Sequence, residues 1–169
     1  MRYLLGVLFL AAVASSVLCE LNDAKHVENA VVTGTGKSYK LMYKAETWQD
    51  AKQVCSNNGG KLAVPKSQDE FNTIQALIRK MHYPSIIGWT GSRLLAWVGI
   101  SSVSEPSWRN VDGKDIENTG FSTWAKGNGE KSSNPQEPHC VVMDAANPGL
   151  RSFWCHYKQP FVCQFNINP

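Results

Sequence analysis

Several features that would point to common protein functions are missing from this 169-residue sequence. No apolar run reaches the roughly 20 residues that a membrane-spanning helix needs, so no membrane span is predicted. No block or stripe of Lys and Arg occurs, which argues against nucleic acid as a partner. Phosphate-binding loops, nucleophile elbows and metal-ligand pairs are also absent, and the acidic residues are scattered. We therefore predict neither an enzyme nor a metal site.

The N-terminus has the pattern of a secretory signal peptide. The basic residue Arg2 precedes the apolar run 3–14, and small residues follow it up to Ser16. Cleavage after Ser16 would leave Cys19 unpaired and available for an intermolecular bridge. Cleavage after Cys19 would make residues 1–19 the signal peptide and leave an even number of cysteines. We adopt the second boundary and expect a secreted, extracellular protein.

The cysteines that would then remain are Cys55, Cys140, Cys155 and Cys163. In an oxidising compartment, four cysteines indicate two disulfides, and three pairings are possible. His139 and His156 each adjoin a cysteine, so a Cys2His2 zinc site is the alternative. Zinc requires thiolates, which disulfide-bonded cysteines do not supply, and we therefore favour disulfides.

The order of predicted elements indicates an α+β fold. Helices are expected over 47–60, capped by Thr47, and over 67–82, where Ser67 and Glu70 have capping-box spacing. Strands are expected at 37–43, 61–65, 94–100, 140–145 and 161–165. The intervening residues 101–139 follow neither a helical nor a strand period, which is typical of a functional loop. The predicted organisation is a mobile segment 20–36, one domain 37–165 and a tail 166–169.

Four stretches together resemble the C-type lectin-like domain family. Residues 97–100, Trp-Val-Gly-Ile, resemble its W-I-G-L core strand. Residues 107–113 and 121–127 match its loop framework, and 160–163 match its closing strand. The cysteine order is also similar, with one at the end of the first helix and three near the C-terminus. The resemblance covers about 37–165, and it implies two helices, short antiparallel sheets, a long irregular loop and the disulfides Cys55–Cys163 and Cys140–Cys155.

The resemblance also implies where a sugar site would lie. Sugar-binding members coordinate Ca²⁺ through Glu-Pro-Asn or Gln-Pro-Asp in the long loop and through Trp-Asn-Asp before the inner-bridge cysteine. Here these positions read 128–130, Asn-Gly-Glu, and 150–152, Leu-Arg-Ser. A permanently charged guanidinium thus replaces a calcium ligand, and the predicted cofactor is none. The alternative is an unusual calcium site formed by residues 134–137 with Glu130 and Asp144.

The sequence therefore predicts a secreted, non-catalytic recognition protein that binds an extracellular protein or glycan through its long loop. The alternative is an active carbohydrate-binding lectin in innate immune recognition, with a calcium-assisted or altered site. A matrix component cross-linked through Cys19 is a third possibility. The candidate ligand-binding residues are Asn128, Glu130, Asn134, Gln136, Glu137 and Arg151. The ligand and the oligomeric state stay open.

Overall fold

A computed structural model describes residues 30–33, 36–82, 94–103 and 107–167. The predicted signal peptide 1–19 and most of the predicted segment 20–36 lie outside these ranges. From Val31 onward the described residues belong to one compact unit.

Two α-helices carry the caps that the sequence predicts. Helix α1 spans Trp48–Asn57, and the Thr47 hydroxyl accepts a 3.2 Å hydrogen bond from the Asp50 amide. Helix α2 spans Gln68–Arg79, and the Ser67 hydroxyl accepts from the Glu70 amide at 3.2 Å. Each cap satisfies an amide that has no partner within its own helix, which fixes where the helix begins. Among the described residues, no helix has the length and apolar character to cross a bilayer.

The strands form one sheet. They are β1 Ala30–Val32, β2 Lys37–Glu46, β3 Lys61–Leu62, β4 Leu95–Ser101, β5 Arg109–Asn110, β6 His139–Asp144, β7 Arg151–Trp154 and β8 Gln159–Asn166. The main path runs β1-β2-β8-β4-β6-β7, while β3 pairs with β8 and β5 with β4. Because β4 pairs with β8 in parallel and with β6 in antiparallel orientation, the sheet is mixed. The prediction was short antiparallel sheets. In the structure these strands pair into a single mixed sheet.

Strand β4 separates two groups of buried side chains. Ala96 and Val98 face a core packed by α2, whereas Trp97 faces a second core with Trp48 of α1. This division follows from the period of two along a strand. Both indole N–H groups are satisfied: Trp97 donates to the Glu46 carbonyl at 2.9 Å, and Trp48 to the Val98 carbonyl at 2.8 Å.

Both disulfides implied by the family resemblance are confirmed. Cys55–Cys163 joins α1 to β8 and spans 108 residues of sequence. Cys140–Cys155 spans 15 residues and joins β6 to the turn after β7. In the chain-entropy model, closures of these lengths contribute about 4–5 and about 3 kcal/mol to stability. The shorter bridge fixes the two strands that border the candidate site.

The long loop contains little regular structure but is tied to the core. Its described part includes β5 and one 3-10 turn, Ile116–Asn118. The buried ring of Trp108 packs against Trp124 with centroids 4.8 Å apart. The Trp108 indole donates to the Gly129 carbonyl at 2.7 Å. Both tryptophans therefore anchor the loop, as the framework resemblance implies, and position the adjacent residue Asn128.

Candidate ligand-binding pocket

An open pocket of about 450 Å³ lies where β6 ends and β7 begins. Its lining includes Leu95, Asn128, Val142, Asp144, Arg151 and Phe153. Residues 145–147 of the β6–β7 loop complete one wall. The side chains thus come from the sheet, from the β6–β7 loop and from the long loop.

Main-chain contacts hold the long loop against the start of β7. The Ala125 amide donates to the Leu150 carbonyl, and the Leu150 amide donates to the Thr123 carbonyl, each at 2.9 Å. Gly149 has φ of +91°, and a Cβ atom there would lie 2.5 Å from the Ala125 nitrogen. Only glycine accommodates both the conformation and this close approach. The two loops therefore meet at Gly149 and present Asn128 and Arg151 to the same pocket.

Asp144, at the end of β6, has a fully used carboxylate. Oδ1 accepts from the amides of Ala146 and Asn147, at 2.8 and 2.5 Å. Oδ2 accepts from the Asn147 side-chain amide at 2.8 Å and from Arg151 Nη1 at 2.6 Å. Burial of the Asp144 carboxyl acts to raise its pKa, but these hydrogen bonds outweigh burial and lower the pKa below its usual value. The carboxylate is therefore ionised at neutral pH and has four donors for about four lone-pair sites.

Arg151 occupies the position where the family resemblance expects a calcium ligand. Its side chain is 37% exposed, while the paired Asp144 side chain is 6% exposed. Calcium requires six to eight oxygen ligands, and the Asp144 carboxylate already has its acceptors filled. Within the described ranges, no group of three or more His, Cys, Asp or Glu side chains is placed to hold a metal ion. The residues of this pocket do not fit calcium.

Helix α2 supports the β6–β7 loop from beneath. The buried Gln75 side chain donates to the carbonyls of Asp144 and Asn147, at 3.1 and 2.8 Å. Arg79 Nε donates to the Ala145 carbonyl at 2.7 Å, and Arg79 Nη2 donates to Gln75 Oε1 at 2.6 Å. Three carbonyls of the loop thereby gain side-chain donors, which restrain the loop.

Two of the six predicted ligand-binding residues lie in this pocket, and they are Asn128 and Arg151. Asn128 Oδ1 accepts from the Ser152 amide at 3.2 Å, and Asn128 Nδ2 donates to the Lys126 carbonyl at 3.1 Å. These bonds fix the orientation of the amide group. Asn128 therefore links the long loop to β7 as well as lining the pocket.

The other four predicted residues lie in the long loop outside the pocket lining. Asn134, Gln136 and Glu137 form an exposed turn, in which Asn134 Oδ1 accepts from the Gln136 amide at 3.0 Å. Glu130 is also exposed, and its carbonyl oxygen lies 3.1 Å from His139 Nδ1. A role for these four residues in binding stays a prediction.

Sequence reasoning missed two contributors to the pocket and gave a third a different role. It assigned Asp144 only a possible role as a calcium ligand, and it assigned no role to Asn147 or Phe153. The segment Asp-Ala-Ala-Asn-Pro-Gly, 144–149, carries the missed signal, since Asp followed by Asn, Pro and Gly is typical of a side-chain-capped turn.

An aromatic surface adjoins the pocket and was also missed. Trp154 is 43% exposed and Tyr157 48% exposed. The Phe153 ring, which lines the pocket, contacts both, with centroids 5.9 and 5.3 Å apart. The segment around Cys155, for which the sequence predicts a disulfide, therefore also carries exposed rings.

Comparisons with known proteins define the class of this fold. The family model described as the Lectin C-type domain matches residues 44–165. The chain belongs to the C-type lectin domain family. Members of this family are generally binding proteins without enzymatic activity. Many of them are calcium-dependent.

Three similar proteins illustrate the match. The chain is 29% identical to the hemolymph lipopolysaccharide-binding protein of Periplaneta americana over 130 residues, which cover 76% of this chain and 49% of that protein. It is 27% identical to tetranectin of Bos taurus over 154 residues, 87% of this chain and 70% of that protein. The chain thus spans about half the length of the first relative. The carbohydrate-recognition domain of the mouse scavenger receptor C-type lectin has the same fold, with a TM-score of 0.64, 21% identity, and coverage of 81% of this chain and 95% of that one.

Proposed function

We propose that this chain is a secreted recognition domain that binds an extracellular glycan or protein without calcium and without catalysis. The observation that carries the proposal is the four-donor environment of the Asp144 carboxylate, in which Arg151 supplies the charge that a metal ion would otherwise supply. A carboxylate whose lone pairs already accept hydrogen bonds is a poor ligand for a cation.

The support from α2 strengthens this proposal. In a calcium-dependent site, the metal orders the loops that surround it. Here Gln75 and Arg79 already donate to three carbonyls of the β6–β7 loop. Because the loop is ordered by protein groups, the pocket has its shape before any ligand binds, which lowers the entropy cost of binding.

A glycan is favoured over a protein as the ligand by the shape of the site. A pocket of about 450 Å³ falls within the range typical of small-molecule sites. It combines apolar walls with a small number of polar groups, as sugar rings require. The similarity to a protein named for binding lipopolysaccharide is consistent with an altered lectin site and with a role in innate immune recognition.

The calcium requirement is tested by a thermal melt of the disulfide-intact mature chain in EDTA and in millimolar calcium. We expect the same melting temperature in both. Calcium at 100 times its dissociation constant would add about 2.7 kcal/mol to stability, which is a readily measured shift. A clear rise with calcium, together with calcium-dependent binding to any glycan, would refute the proposal.

Secretion is tested separately by expressing the full chain in cells with a eukaryotic secretory pathway. We expect to recover the protein from the medium with a new N-terminus at Glu20. N-terminal sequencing would distinguish cleavage after Cys19 from cleavage after Ser16. Retention of the uncleaved chain in the cells would contradict the proposed localisation.

A further inference from the structure

We propose that the pocket beside Arg151 binds the carboxylate of an acidic sugar, with the Arg151 guanidinium as its anchor. This inference rests on the proposed calcium-free function and specifies the ligand of the same site. The Asp144 carboxylate has its acceptors in use, whereas the Arg151 guanidinium keeps free donors.

The acceptors at the Asp144 end of the pocket are committed. Each carboxylate oxygen of Asp144 accepts two hydrogen bonds. The four donors belong to Ala146, Asn147 and Arg151. Gln75 donates to the carbonyls of Asp144 and Asn147. A ligand that binds chiefly by donating hydroxyl protons therefore finds the Asp144 carboxylate already in use.

The guanidinium of Arg151, by contrast, keeps free donors. Nη1 bonds to Asp144 Oδ2, whereas Nε and Nη2 have no hydrogen-bond partner among the described residues. With 37% of the side chain exposed, the Nε–Nη2 edge is accessible to a ligand. That edge carries two parallel N–H bonds, whose spacing matches the two oxygens of a carboxylate. The Asp144 contact restrains the guanidinium from the opposite side.

The local charge also favours an anion. The loop that lines the pocket contacts two guanidinium groups, Arg151 at Asp144 and Arg79 at the Ala145 carbonyl. Among the described residues that line the pocket, Asp144 alone carries a carboxylate. The immediate surroundings therefore carry one net positive charge, which Coulomb attraction directs towards an anionic ligand.

The size and walls of the pocket favour a sugar over a protein segment. The volume of about 450 Å³ accommodates a single ring, and Leu95, Val142 and Phe153 provide apolar walls for its C–H faces. A stable protein interface buries roughly 800 Å² on each partner. In the described part of the chain, the exposed large hydrophobic residues are Val103, Trp154, Tyr157 and Ile167, and none of them lines the pocket.

The experiment compares glucuronate with glucose, two sugars that differ only by the carboxylate. Each is titrated into the ¹⁵N-labelled, disulfide-intact mature chain in EDTA, and the Arg151 Nε–H signal is followed by NMR. We expect glucuronate to shift this signal and to bind at least about tenfold more tightly than glucose, in keeping with the strength of charge-assisted hydrogen bonds. Added salt should weaken the glucuronate binding only.

Variants separate the anchor from general charge. Arg151→Gln should reduce glucuronate binding to the level of glucose, and Arg151→Lys should recover part of it, because lysine keeps the charge but not the planar fork. Lys131→Gln removes one exposed positive charge of the long loop, which lies outside the pocket, and should leave glucuronate binding unchanged. Should Arg151→Gln fail to fold, the Arg151 signal of the unmodified chain and the Lys variant still decide the question.

Several results would overturn the inference. Equal binding of glucose and glucuronate in EDTA would do so while leaving calcium-free recognition intact. A shift of the Arg151 signal by glucose 6-sulfate or by a tetraglutamate peptide, but not by glucuronate, would reassign the site to a sulfated sugar or an acidic peptide. Binding of glucuronate only in the presence of calcium would refute the proposed function and the inference together.

Discussion

The side chain of Gln75, buried on α2, donates a 3.1 Å hydrogen bond to the main-chain carbonyl of Asp144, which lies 69 residues later in the sequence. The same amide group donates to the Asn147 carbonyl at 2.8 Å. One helical side chain thus bridges both ends of the turn that begins at Asp144, the partner of Arg151. The scaffold and the pocket are connected through this contact.

Replacing Gln75 with Leu should destabilise the protein and loosen the β6–β7 loop. The substitution removes the side-chain donor of the Asp144 and Asn147 carbonyls and the acceptor of Arg79 Nη2, and the buried Asp144 contact makes the expected loss about 1–3 kcal/mol. Gln68→Leu on the same helix is the control, because Gln68 is exposed and its side-chain amide donates to the neighbouring Asn72 of the same helix. Chemical denaturation and hydrogen exchange over 145–149 measure the two effects. Equal stability of the two variants would contradict the supporting role of Gln75.

Asp144→Asn should alter the stability of the protein in a pH-dependent way. Because the Asp144 pKa is lower in the folded chain than the usual 3.8, the ionised carboxylate stabilises the fold. That stability is fully present above about pH 3.8 and is lost as the pH falls through the folded-state pKa. The difference in melting temperature between wild type and Asp144→Asn should therefore be largest near neutral pH and shrink in acid.

A second carboxylate provides the comparison for this pH series. Asp112 pairs with Lys61 at 2.6 Å on the surface, and both side chains are partly exposed. Although burial opposes the change, Lys61 lowers the Asp112 pKa as well. Exposed ion pairs contribute about 0–1 kcal/mol, so Asp112→Asn should give a much smaller difference across the same pH range. If the melting-temperature difference between wild type and Asp144→Asn did not vary with pH, the ionised Asp144 carboxylate would not be what stabilises the fold.

The two disulfides should differ in their contribution to stability. Replacing both Cys55 and Cys163 with Ala releases a loop of 108 residues, whereas replacing Cys140 and Cys155 releases one of 15. The expected losses are about 4–5 and about 3 kcal/mol. Unfolding of the two double variants in guanidinium checks the order. A larger loss for the shorter bridge would show that local packing, rather than loop closure, dominates.

Features decided by local sequence were predictable. Thr47 and Ser67 cap their helices because a hydroxyl side chain directly before a helix finds free amides. The run Trp97–Ile100 is apolar enough to be a central strand, and it lies within β4. The disulfide pairing was predictable only through the family resemblance, since the sequence itself allows three connectivities.

Contacts between distant segments were not predictable. Glu70 has capping-box spacing, yet its carboxylate accepts from the Lys66 amide and pairs with Lys37, 33 residues earlier on β2. Strand β7 was missed because a four-residue strand that begins with Arg and Ser has no apolar pattern of its own, and pairing with β6 defines it. The Asp144 carboxylate also accepts hydrogen bonds from four donors that come together only in the folded loop.

Gly149→Ala should disrupt the contact between the long loop and β7. At a φ of +91°, an alanine is strained, and its Cβ would lie 2.5 Å from the Ala125 nitrogen and 2.6 Å from the Trp124 carbonyl carbon. The neighbours are main-chain atoms that cannot rotate away, so we expect a loss of more than about 2 kcal/mol.

The matched control for this substitution is Gly127→Ala. Gly127 has a similar φ of +73°, but a Cβ atom added there would meet nothing within 4 Å. The Gly127→Ala variant should therefore lose only the free energy of the strained backbone conformation, about 1 kcal/mol. Denaturation of both variants separates conformational strain from steric conflict. Equal losses would mean that the close approach at Gly149 does not hold the two loops together, and the pocket would then need another explanation for its shape.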